Sequence, residues 1–401
     1  MRHDILLWGA TGYTGQLVAA YLARQEGVGR ALSWALAGRD AAKLAAVRDT
    51  LATIDPAASA LPLLLADAGD DASMRALAAQ ARVVITTVGP YARHGAGLVA
   101  ACVAEGTGYV DLTGEPTFVH RMIAAHHEAA RARGVHIVHA CGFDSVPSDL
   151  GCLLVQERAL ARWGEVLPDV TLYVRKVRGA FSGGTVASMA ELLAEASRDR
   201  DAARALGDPY SLGGSGPPVS DTEGPAWDAA EGVWTAPFLM APTNAKIVRR
   251  SAGLLGYAPF RYTERQSFPT GAVGWAAASA VAVGLGAGVA ALRAPRLRQL
   301  LVDNVLPKAG SGPTPAERAA GFFETHTVGR GPDGRWVRVT VRGDKDPGYG
   351  ATSGMIAESA LALLRAPVAE GAGVVTPAVA LGTGLVPRLA RAGVTFEVVE
   401  N

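Results

Sequence analysis

Two hydrophobic patterns divide the chain near residue 150. Up to that point, short apolar runs of strand length alternate with amphipathic stretches of helical length, which is typical of a parallel, doubly wound sheet. The strands are predicted at 5–9, 33–37, 62–66, 82–88, 108–112 and 135–140, and the helices at 14–25, 40–52, 70–80, 94–105 and 116–133. The first 150 residues are therefore interpreted as one α/β domain.

The rest of the chain has a pattern typical of an α+β domain with a mostly antiparallel sheet. A half-exposed strand is predicted at 170–177 and a helix at 186–197. Strands predicted at 324–328 and 336–342 flank a glycine-rich turn, which indicates a hairpin. Residues 207–237 are rich in Gly, Pro, Ser and Asp, and we expect them to form a long loop that is a candidate lid.

The first predicted strand runs directly into a glycine turn of the G-x-x-G-x-x-G type, which also contains Thr11. Gly9 would make the tight turn, Gly12 would let the backbone approach a pyrophosphate, and Gly15 would let the next helix pack on the strand. That helix would point the positive end of its dipole at the phosphates. The turn therefore predicts a dinucleotide site, and the alternative is a glycine turn in some other α/β unit.

The end of the second predicted strand indicates which dinucleotide is bound. An NAD site would place an acidic residue there for the ribose 2′-hydroxyl, but this strand ends in Gly38 and Arg39. A guanidinium can hold the 2′-phosphate of NADP through paired, charge-assisted hydrogen bonds, and Lys43 could add a second positive charge. In the alternative interpretation, both are ordinary surface cations at the start of a helix.

In an open parallel sheet the ligand lies beyond the carboxyl ends of the strands. After the fourth predicted strand, Gly89 and Pro90 follow Val88 and form a rigid turn near the expected nicotinamide ribose. Tyr91 and His94 offer a hydroxyl and an imidazole as proton donors to a hydride acceptor. The alternative is that His94 begins the next helix and Tyr91 only packs.

The loop after the sixth predicted strand is the second candidate region, and it contains Gly142, Phe143, Asp144 and Ser145. Backbone and side-chain groups of this loop could hold the nicotinamide carboxamide and orient a substrate carbonyl, which makes Asp144 and Ser145 candidate catalytic residues. The alternative is structural, because Ser148 or Asp149 would cap the following helix in any case.

A long uncharged segment occupies residues 266–292. It is long enough to span a bilayer, but it consists mainly of Ala and Gly rather than Leu and Ile. Arg293, Arg296 and Arg298 follow it, and residues 292–305 combine helically spaced apolar positions with a basic face. Three interpretations stay open: a buried or dimer-facing helix pair, an element that docks on a membrane surface or an acyl chain, and a true membrane span.

Composition bears on which partners and which cellular compartment we expect. The 401 residues suit two domains, and the formal net charge of +1 gives no electrostatic case for nucleic acid as a partner. Three cysteines without C-x-x-C spacing fit a reducing cytoplasm, and the first strand begins too early to leave room for a signal peptide. His126 and His127 are adjacent and point to different helix faces, so no metal site is predicted.

Taken together, these motifs resemble the saccharopine dehydrogenase-like oxidoreductases, and within them the trans-acting enoyl reductases of actinobacterial lipid synthesis. The resemblance rests on residues 9–15, 37–39, 88–91, 109–115, 142–149, 346–352 and 376–382, so it spans most of the chain. It implies a Rossmann domain at 1–150 and a second α+β domain at 151–345 that contacts the substrate. Residues 346–401 would form a C-terminal helix and tail that return to the first domain.

The resemblance also implies residue roles and an activity. Gly12, Tyr13 and Thr14 would contact the phosphates of NADP(H), and Arg39 would contact the 2′-phosphate. The function that this interpretation favours is an NADPH-dependent reduction of a carbon–carbon double bond in an apolar or thioester-linked substrate. The hydride would pass to the β-carbon, and Tyr91, His94 or solvent would protonate the resulting enolate.

Two alternatives stay open. One is a saccharopine-type reaction through an imine, which needs clustered cations for a charged amino acid, and Arg175, Lys176 and Arg178 offer such a cluster. The other is a non-catalytic NADPH-binding protein that attaches to membranes or lipid through residues 266–305. Peripheral membrane contact and a homodimer are both compatible with the favoured function.

Overall fold

Two seven-stranded sheets form the framework of the protein. The computed structural model describes residues 2–179, 183–304, 312–365 and 371–401. Within these ranges the strands are β1 (His3–Trp8), β2 (Trp34–Gly38), β3 (Leu63–Leu65), β4 (Ala81–Thr86), β5 (Gly108–Val110), β6 (His136–Val138), β7 (Asp169–Arg178), β8 (Ala226–Asp228), β9 (Val233–Pro237), β10 (Arg261–Phe268), β11 (Phe322–Arg330), β12 (Trp336–Gly343), β13 (Gly373–Val375) and β14 (Val394–Glu400).

Helices cover both sheets. Those in the described part of the chain are α1 (Tyr13–Gln25), α2 (Ala41–Ala52), α3 (Asp71–Ala78), α4 (Tyr91–His94), α5 (Ala96–Glu105), α6 (Pro116–Ala132), α7 (Val146–Trp163), α8 (Gly183–Ala196), α9 (Arg200–Gly207), α10 (Ala241–Leu254), α11 (Gly271–Arg293), α12 (Pro295–Asn304), α13 (Pro315–Ala319), α14 (Thr352–Arg365), α15 (Pro377–Leu381) and α16 (Val386–Leu389). Short 3₁₀ or π turns occupy Pro56–Ala60, Pro347–Ala351, Gly382–Leu385 and Ala390–Ala392.

The first sheet is parallel throughout, in the order β13-β6-β5-β4-β1-β2-β3. Strand order reverses between β1 and β4, which is the switch point at which a doubly wound sheet binds its ligand. This confirms the predicted Rossmann fold. Strand β13 was not predicted from the sequence. It has only three residues, Gly373–Val375, and a run this short shows no strand periodicity.

Alternating strand residues fill two separate cores of the first sheet. Ile5 and Leu7 face α1, α2 and α14, whereas Leu6 and Trp8 face α3, α5 and α6. The C-terminal helix α14 therefore packs on the first domain, where its buried Glu358 accepts a hydrogen bond from the Tyr21 hydroxyl at 2.8 Å. Sequence positions more than 300 apart share one core.

The second sheet has the order β14-β12-β11-β7-β10-β9-β8, and all its neighbouring strands are antiparallel except the pair β7 and β10. This confirms the predicted mostly antiparallel sheet and the hairpin of β11 and β12. Residues 226–237 were expected to be loop, but they form β8 and β9. The reason is pairing with β10, in which Trp234 lies opposite Phe268.

The apolar segment predicted at 266–292 divides into two elements. Its first residues belong to β10, and α11 begins at Gly271. Helix α11 is long and apolar enough to cross a membrane, and an 18-residue window of it has mean hydropathy 1.8. Only 11% of that window is buried. The interpretation of a buried core helix is therefore wrong, and the membrane and dimer interpretations stay open.

Candidate active site

A cleft of about 980 Å³ lies at the carboxyl ends of the parallel strands, between the first sheet and the second. The predicted site residues that line it are Gly9, Thr11, Gly12, Tyr13, Thr14, Arg39, Lys43, Val88, Gly89, Pro90, Tyr91, His94, Gly142, Phe143 and Asp144. Gly15 and Ser145 do not line it. The predicted lid does not line it either, because part of residues 207–237 packs on α10, where Asp221 pairs with Arg249 at 2.7 Å.

The backbone of the glycine turn leaves room for a pyrophosphate. Gly9 has φ +89°, and a Cβ there would lie 2.7 Å from Cγ2 of Val88. A Cβ on Gly15 would lie 2.1 Å from the carbonyl oxygen of Gly9, so only glycine lets α1 start this close to β1. Gly12 is the N-cap of α1 and supplies no side-chain cap, which leaves the first amides of the helix available to phosphate oxygens.

Tyr13 is held by the second half of the chain rather than projecting freely into the cleft. Its ring packs edge-on against Tyr349 at 4.8 Å, and the guanidinium of Arg318 lies 5.6 Å from the ring centroid. The Tyr13 hydroxyl donates to the Pro313 carbonyl and accepts from Arg318. The side chain thus anchors the glycine turn, and its backbone amide is the group suited to a phosphate.

The end of β2 fits the 2′-phosphate of NADP. Arg39 is exposed, lines the cleft and makes no ion pair with another described side chain. The neighbouring acid, Asp40, caps α2 by accepting a hydrogen bond from the Lys43 amide at 3.0 Å. Its carboxylate therefore serves the helix, and the guanidinium remains available to a phosphate.

Tyr91 lines the cleft, but its hydroxyl is bonded to backbone groups inside the protein, which argues against its expected role as a proton donor. The side chain is buried, and its hydroxyl donates to the Thr86 carbonyl and accepts from the Leu112 amide, both at 3.2 Å. Burial raises the pKa of Tyr91 well above its ordinary value. His94, by contrast, is exposed at the end of α4 and lines the cleft.

Glu115 borders the cleft without lining it, and it was not among the predicted site residues. Its buried carboxylate accepts from the amides of Tyr91 at 3.0 Å and Ala92 at 2.7 Å, and from the Ser188 hydroxyl at 2.7 Å. Burial raises the pKa of Glu115, although these hydrogen bonds oppose the shift. The residue ties the turn after β4 to helix α8, which forms the opposite wall. An acid in the loop between β5 and α6 was the available signal.

The floor of the cleft is organised around Asp111, which was also not identified. Its carboxylate binds Nδ1 of His139 at 2.7 Å, and it accepts from the Tyr109 hydroxyl at 2.9 Å and the Ala140 amide at 3.0 Å. Ala140 lines the cleft with φ +62°, a conformation that a non-glycine residue rarely adopts. Asp111 holds that strained backbone in place.

The loop after β6 brings one of its two polar candidates into the cleft. Asp144 lines the cleft, and burial raises its pKa to about 6. Ser145 was expected to be catalytic, but it is fully buried with its Oγ 3.4 Å from Oδ1 of Asn244, on the side away from the cleft. Thr352 of α14 supports the loop by accepting a hydrogen bond from the Phe143 amide at 3.0 Å.

The side of the cleft that the second domain contributes is mainly apolar. Its lining includes Val177, Met189, Leu192, Phe238 and Met240, which Phe143 of the first domain joins, and its polar side chains are Ser188, Thr243 and Gln266. Among the described side chains that line the cleft, the lysine and arginine residues are Arg39 and Lys43, both at the β2 end. The predicted cluster at 175–178 contributes only Val177 to the lining. This side of the cleft suits a hydrocarbon chain rather than a charged amino acid.

Comparison with known proteins agrees with this geometry. Residues 5–138 match the family of saccharopine dehydrogenase NADP binding domains. The chain is 44% identical over 416 aligned residues to a Mycobacterium tuberculosis protein assigned as a trans-acting enoyl reductase, covering 98% of this chain and 97% of the relative. It is 40% identical to the trans-acting enoyl reductase of Mycobacterium leprae, with the same coverage.

The fold is similar to that of a solved structure, saccharopine dehydrogenase (L-Glu forming) from Saccharomyces cerevisiae. The TM-score is 0.53 at 13% identity, and the match covers 100% of both chains. At this identity the similarity concerns the fold, and the residues of the cleft must be interpreted from their own chemistry.

Proposed function

Because the chain belongs to the trans-acting enoyl reductases of the saccharopine dehydrogenase-like family, we propose that it reduces a carbon–carbon double bond in an apolar acyl thioester. It is an NADP(H)-dependent oxidoreductase. The observation that carries the substrate class is the apolar side of the cleft, which the second domain contributes and which contains no described lysine or arginine.

The charged and apolar parts of the cleft would bind different molecules, the cofactor and the acyl substrate. NADPH, when bound, would supply the hydride for the β-carbon of the conjugated double bond. The charged part, with Arg39 and the open amides of α1, binds the phosphates and leaves the apolar side for the acyl chain. Side chains such as Phe238 and Met240 exclude water from the reacting carbons.

Saturation of the double bond needs a proton at the α-carbon, and Asp144 is the group we assign to deliver it. It lines the cleft next to Phe143 in the sequence, and burial raises its pKa to about 6. A carboxyl with that pKa retains a protonated fraction near neutral pH. Its Oδ atom releases the proton as the enolate forms, and solvent restores it.

We propose that the protein works in a reducing compartment. Cys102, Cys141 and Cys152 are all free, buried thiols, which supports a reducing compartment such as the cytoplasm. Recovery of the native protein from an oxidising compartment in a cell fractionation experiment would contradict this assignment.

The test of the function is NADPH oxidation by the purified full chain with two substrates in parallel. We expect turnover of a long-chain α,β-unsaturated acyl thioester and none of 2-oxoglutarate with lysine, and the matched saturated thioester serves as the blank. NADPH carrying deuterium at the transferred position must place that label on the β-carbon of the product. Turnover of the amino-acid pair alone would overturn the proposal.

A further inference from the structure

Helix α11 presents an apolar face to solvent along its length. Val273 is 80% exposed, Trp275 is 52% exposed and Val283 is 71% exposed. A surface helix normally turns charged or polar residues to water, but α11 carries no charged residue before Arg293 at its last position. An exposed apolar face of this size indicates a surface that is covered in the working protein.

The opposite face of α11 is attached to the domain at both ends. Gly274 packs against Trp234 of β9, and Leu292 packs with Ala190 and Leu193 of α8. The helix therefore lies along the molecule for about 34 Å, at 1.5 Å per residue, instead of leaving it as a membrane span would. Its exposed face can meet a flat surface sideways.

The charges beside this face select the kind of surface. Helix α12 continues it with exposed Leu297 and Leu300. The exposed Arg293 and Arg296 and the half-buried Arg298 lie near the junction of the two helices. The sequence contains no Asp or Glu from residue 265 to residue 302. In a symmetric contact of this segment with the same segment of a second copy, the arginines would meet no acid. Anionic lipid headgroups complement both the arginines and the apolar side chains.

We propose that the α11–α12 surface binds an anionic lipid bilayer in the plane of its headgroups. This surface comprises Val273, Trp275, Val283, Arg293, Arg296, Leu297, Arg298 and Leu300. Helix α8 lies between it and the cleft, with Leu193 packed toward α11 and Met189 and Leu192 lining the cleft. The cleft thus receives its acyl chain from the bilayer side, and this second step rests on the proposed function.

Vesicle flotation of the full chain tests the lipid contact. We expect it to bind phosphatidylcholine vesicles that contain phosphatidylglycerol, to bind pure phosphatidylcholine weakly, and to release as salt rises. Each arginine in contact with the surface contributes about fivefold to the affinity, so Arg296→Glu with Arg298→Glu should weaken binding by well over tenfold. Val273→Glu with Val283→Glu should abolish it. Val399→Glu, at a β14 position that is 46% exposed, is the matched control and should change nothing.

A second readout distinguishes insertion from adsorption. Lipids with brominated acyl chains should quench the tryptophan fluorescence of the native chain, and Trp275→Phe should remove most of that quenching. Light scattering of the native chain and of the Val273→Glu, Val283→Glu variant measures their molar masses. It tests the alternative that this surface forms a dimer. Absence of vesicle binding by the native chain would overturn the proposal, as would a native dimer that this variant converts to monomers.

Activity measurements separate this inference from the proposed function. The Val273→Glu, Val283→Glu variant should keep its turnover of a short, soluble enoyl thioester and lose turnover of a long-chain thioester presented in vesicles. Vesicle binding without turnover of any thioester would reject the proposed function and leave the lipid contact standing. Equal turnover of vesicle-bound substrate by variant and native chain would reject the route from bilayer to cleft.

Discussion

At the scale of single residues, Asp144 is the carboxyl whose surroundings favour proton donation. Its donating form is the protonated one, so the rate should fall as pH rises through its pKa of about 6. We expect Asp144→Asn to lower kcat by about 10²-fold or more and to remove that limb of the pH profile of kcat. Ser145→Ala, which alters a buried hydroxyl outside the cleft, should retain the native profile. A profile unchanged in Asp144→Asn but lost in His94→Ala would assign the proton to His94.

Arg39 carries the preference for NADPH over NADH. Removing a charge-assisted contact to the 2′-phosphate should raise KM for NADPH by about tenfold to a hundredfold in Arg39→Ala and leave KM for NADH nearly unchanged. The ratio of kcat/KM for the two cofactors measures the effect. Arg48→Ala, within α2 and outside the cleft lining, is the control. An unchanged ratio in Arg39→Ala would reject this contact.

Tyr91 should matter for stability and not for chemistry. Its hydroxyl bridges the Thr86 carbonyl and the Leu112 amide, both inside the protein. Tyr91→Phe should therefore lower the free energy of unfolding by about 1 kcal/mol and keep kcat near the native value. Urea denaturation and the enoyl reductase assay measure the two quantities. A large loss of kcat at unchanged stability would restore Tyr91 as a catalytic residue.

At the scale of elements, the start of α1 depends on its close approach to β1. A Cβ on Gly15 would lie 2.1 Å from the Gly9 carbonyl oxygen, so Gly15→Ala must push the helix away from the turn. We expect a loss of about 1–3 kcal/mol in unfolding free energy together with weaker NADPH binding, measured by denaturation and by cofactor titration. Gly284→Ala is the control, because a Cβ there meets no atom within 4 Å and alanine favours the helix by about 1 kcal/mol.

Polar contacts across the cleft hold helix α8 against the first domain. Helix α8 is joined to the first domain by the Glu115–Ser188 contact and by the ion pair of Arg93 with Glu191 at 2.7 Å. Both join residues more than 70 positions apart in the chain. The cleft wall that contains Met189 and Leu192 is positioned by these contacts.

At the scale of the whole molecule, buried carboxyls make stability depend on pH. Glu264 accepts from the Tyr262 hydroxyl at 2.9 Å and from Asn244 at 3.0 Å, and burial raises its pKa from 4.5 to about 7. The folded state therefore binds the proton more tightly than the unfolded state. The stability that this proton contributes is fully present below pH 4.5 and is lost as pH rises to about 7.

Glu264→Gln should remove this pH dependence. The native chain should lose up to about 3 kcal/mol of unfolding free energy through this group between acid and neutral pH, and the variant should lose correspondingly less. Denaturation midpoints across that range measure it. Glu128→Gln, on the exposed face of α6, should leave the native slope unchanged, and an identical slope in Glu264→Gln would contradict the assignment.

The Rossmann domain, the dinucleotide turn and the preference for NADP could be predicted from the sequence alone. Each depends on interactions between near neighbours: strand and helix periodicity, the steric demands on Gly9 and Gly15, and the residue at the end of a strand. Most of the site residues that the motifs predicted line the cleft, because loops at the carboxyl ends of parallel strands converge at one edge.

Which polar groups face the cleft depended on tertiary packing. The packing bonded the Tyr91 hydroxyl inside the protein, buried Ser145, left Asp144 in the cleft, and placed Val177 rather than its charged neighbours in the lining. It added β13 to the first sheet and exposed the apolar face of α11. The physical reason is that side-chain direction and burial depend on which distant elements pack together, and hydrophobic periodicity does not specify those partners.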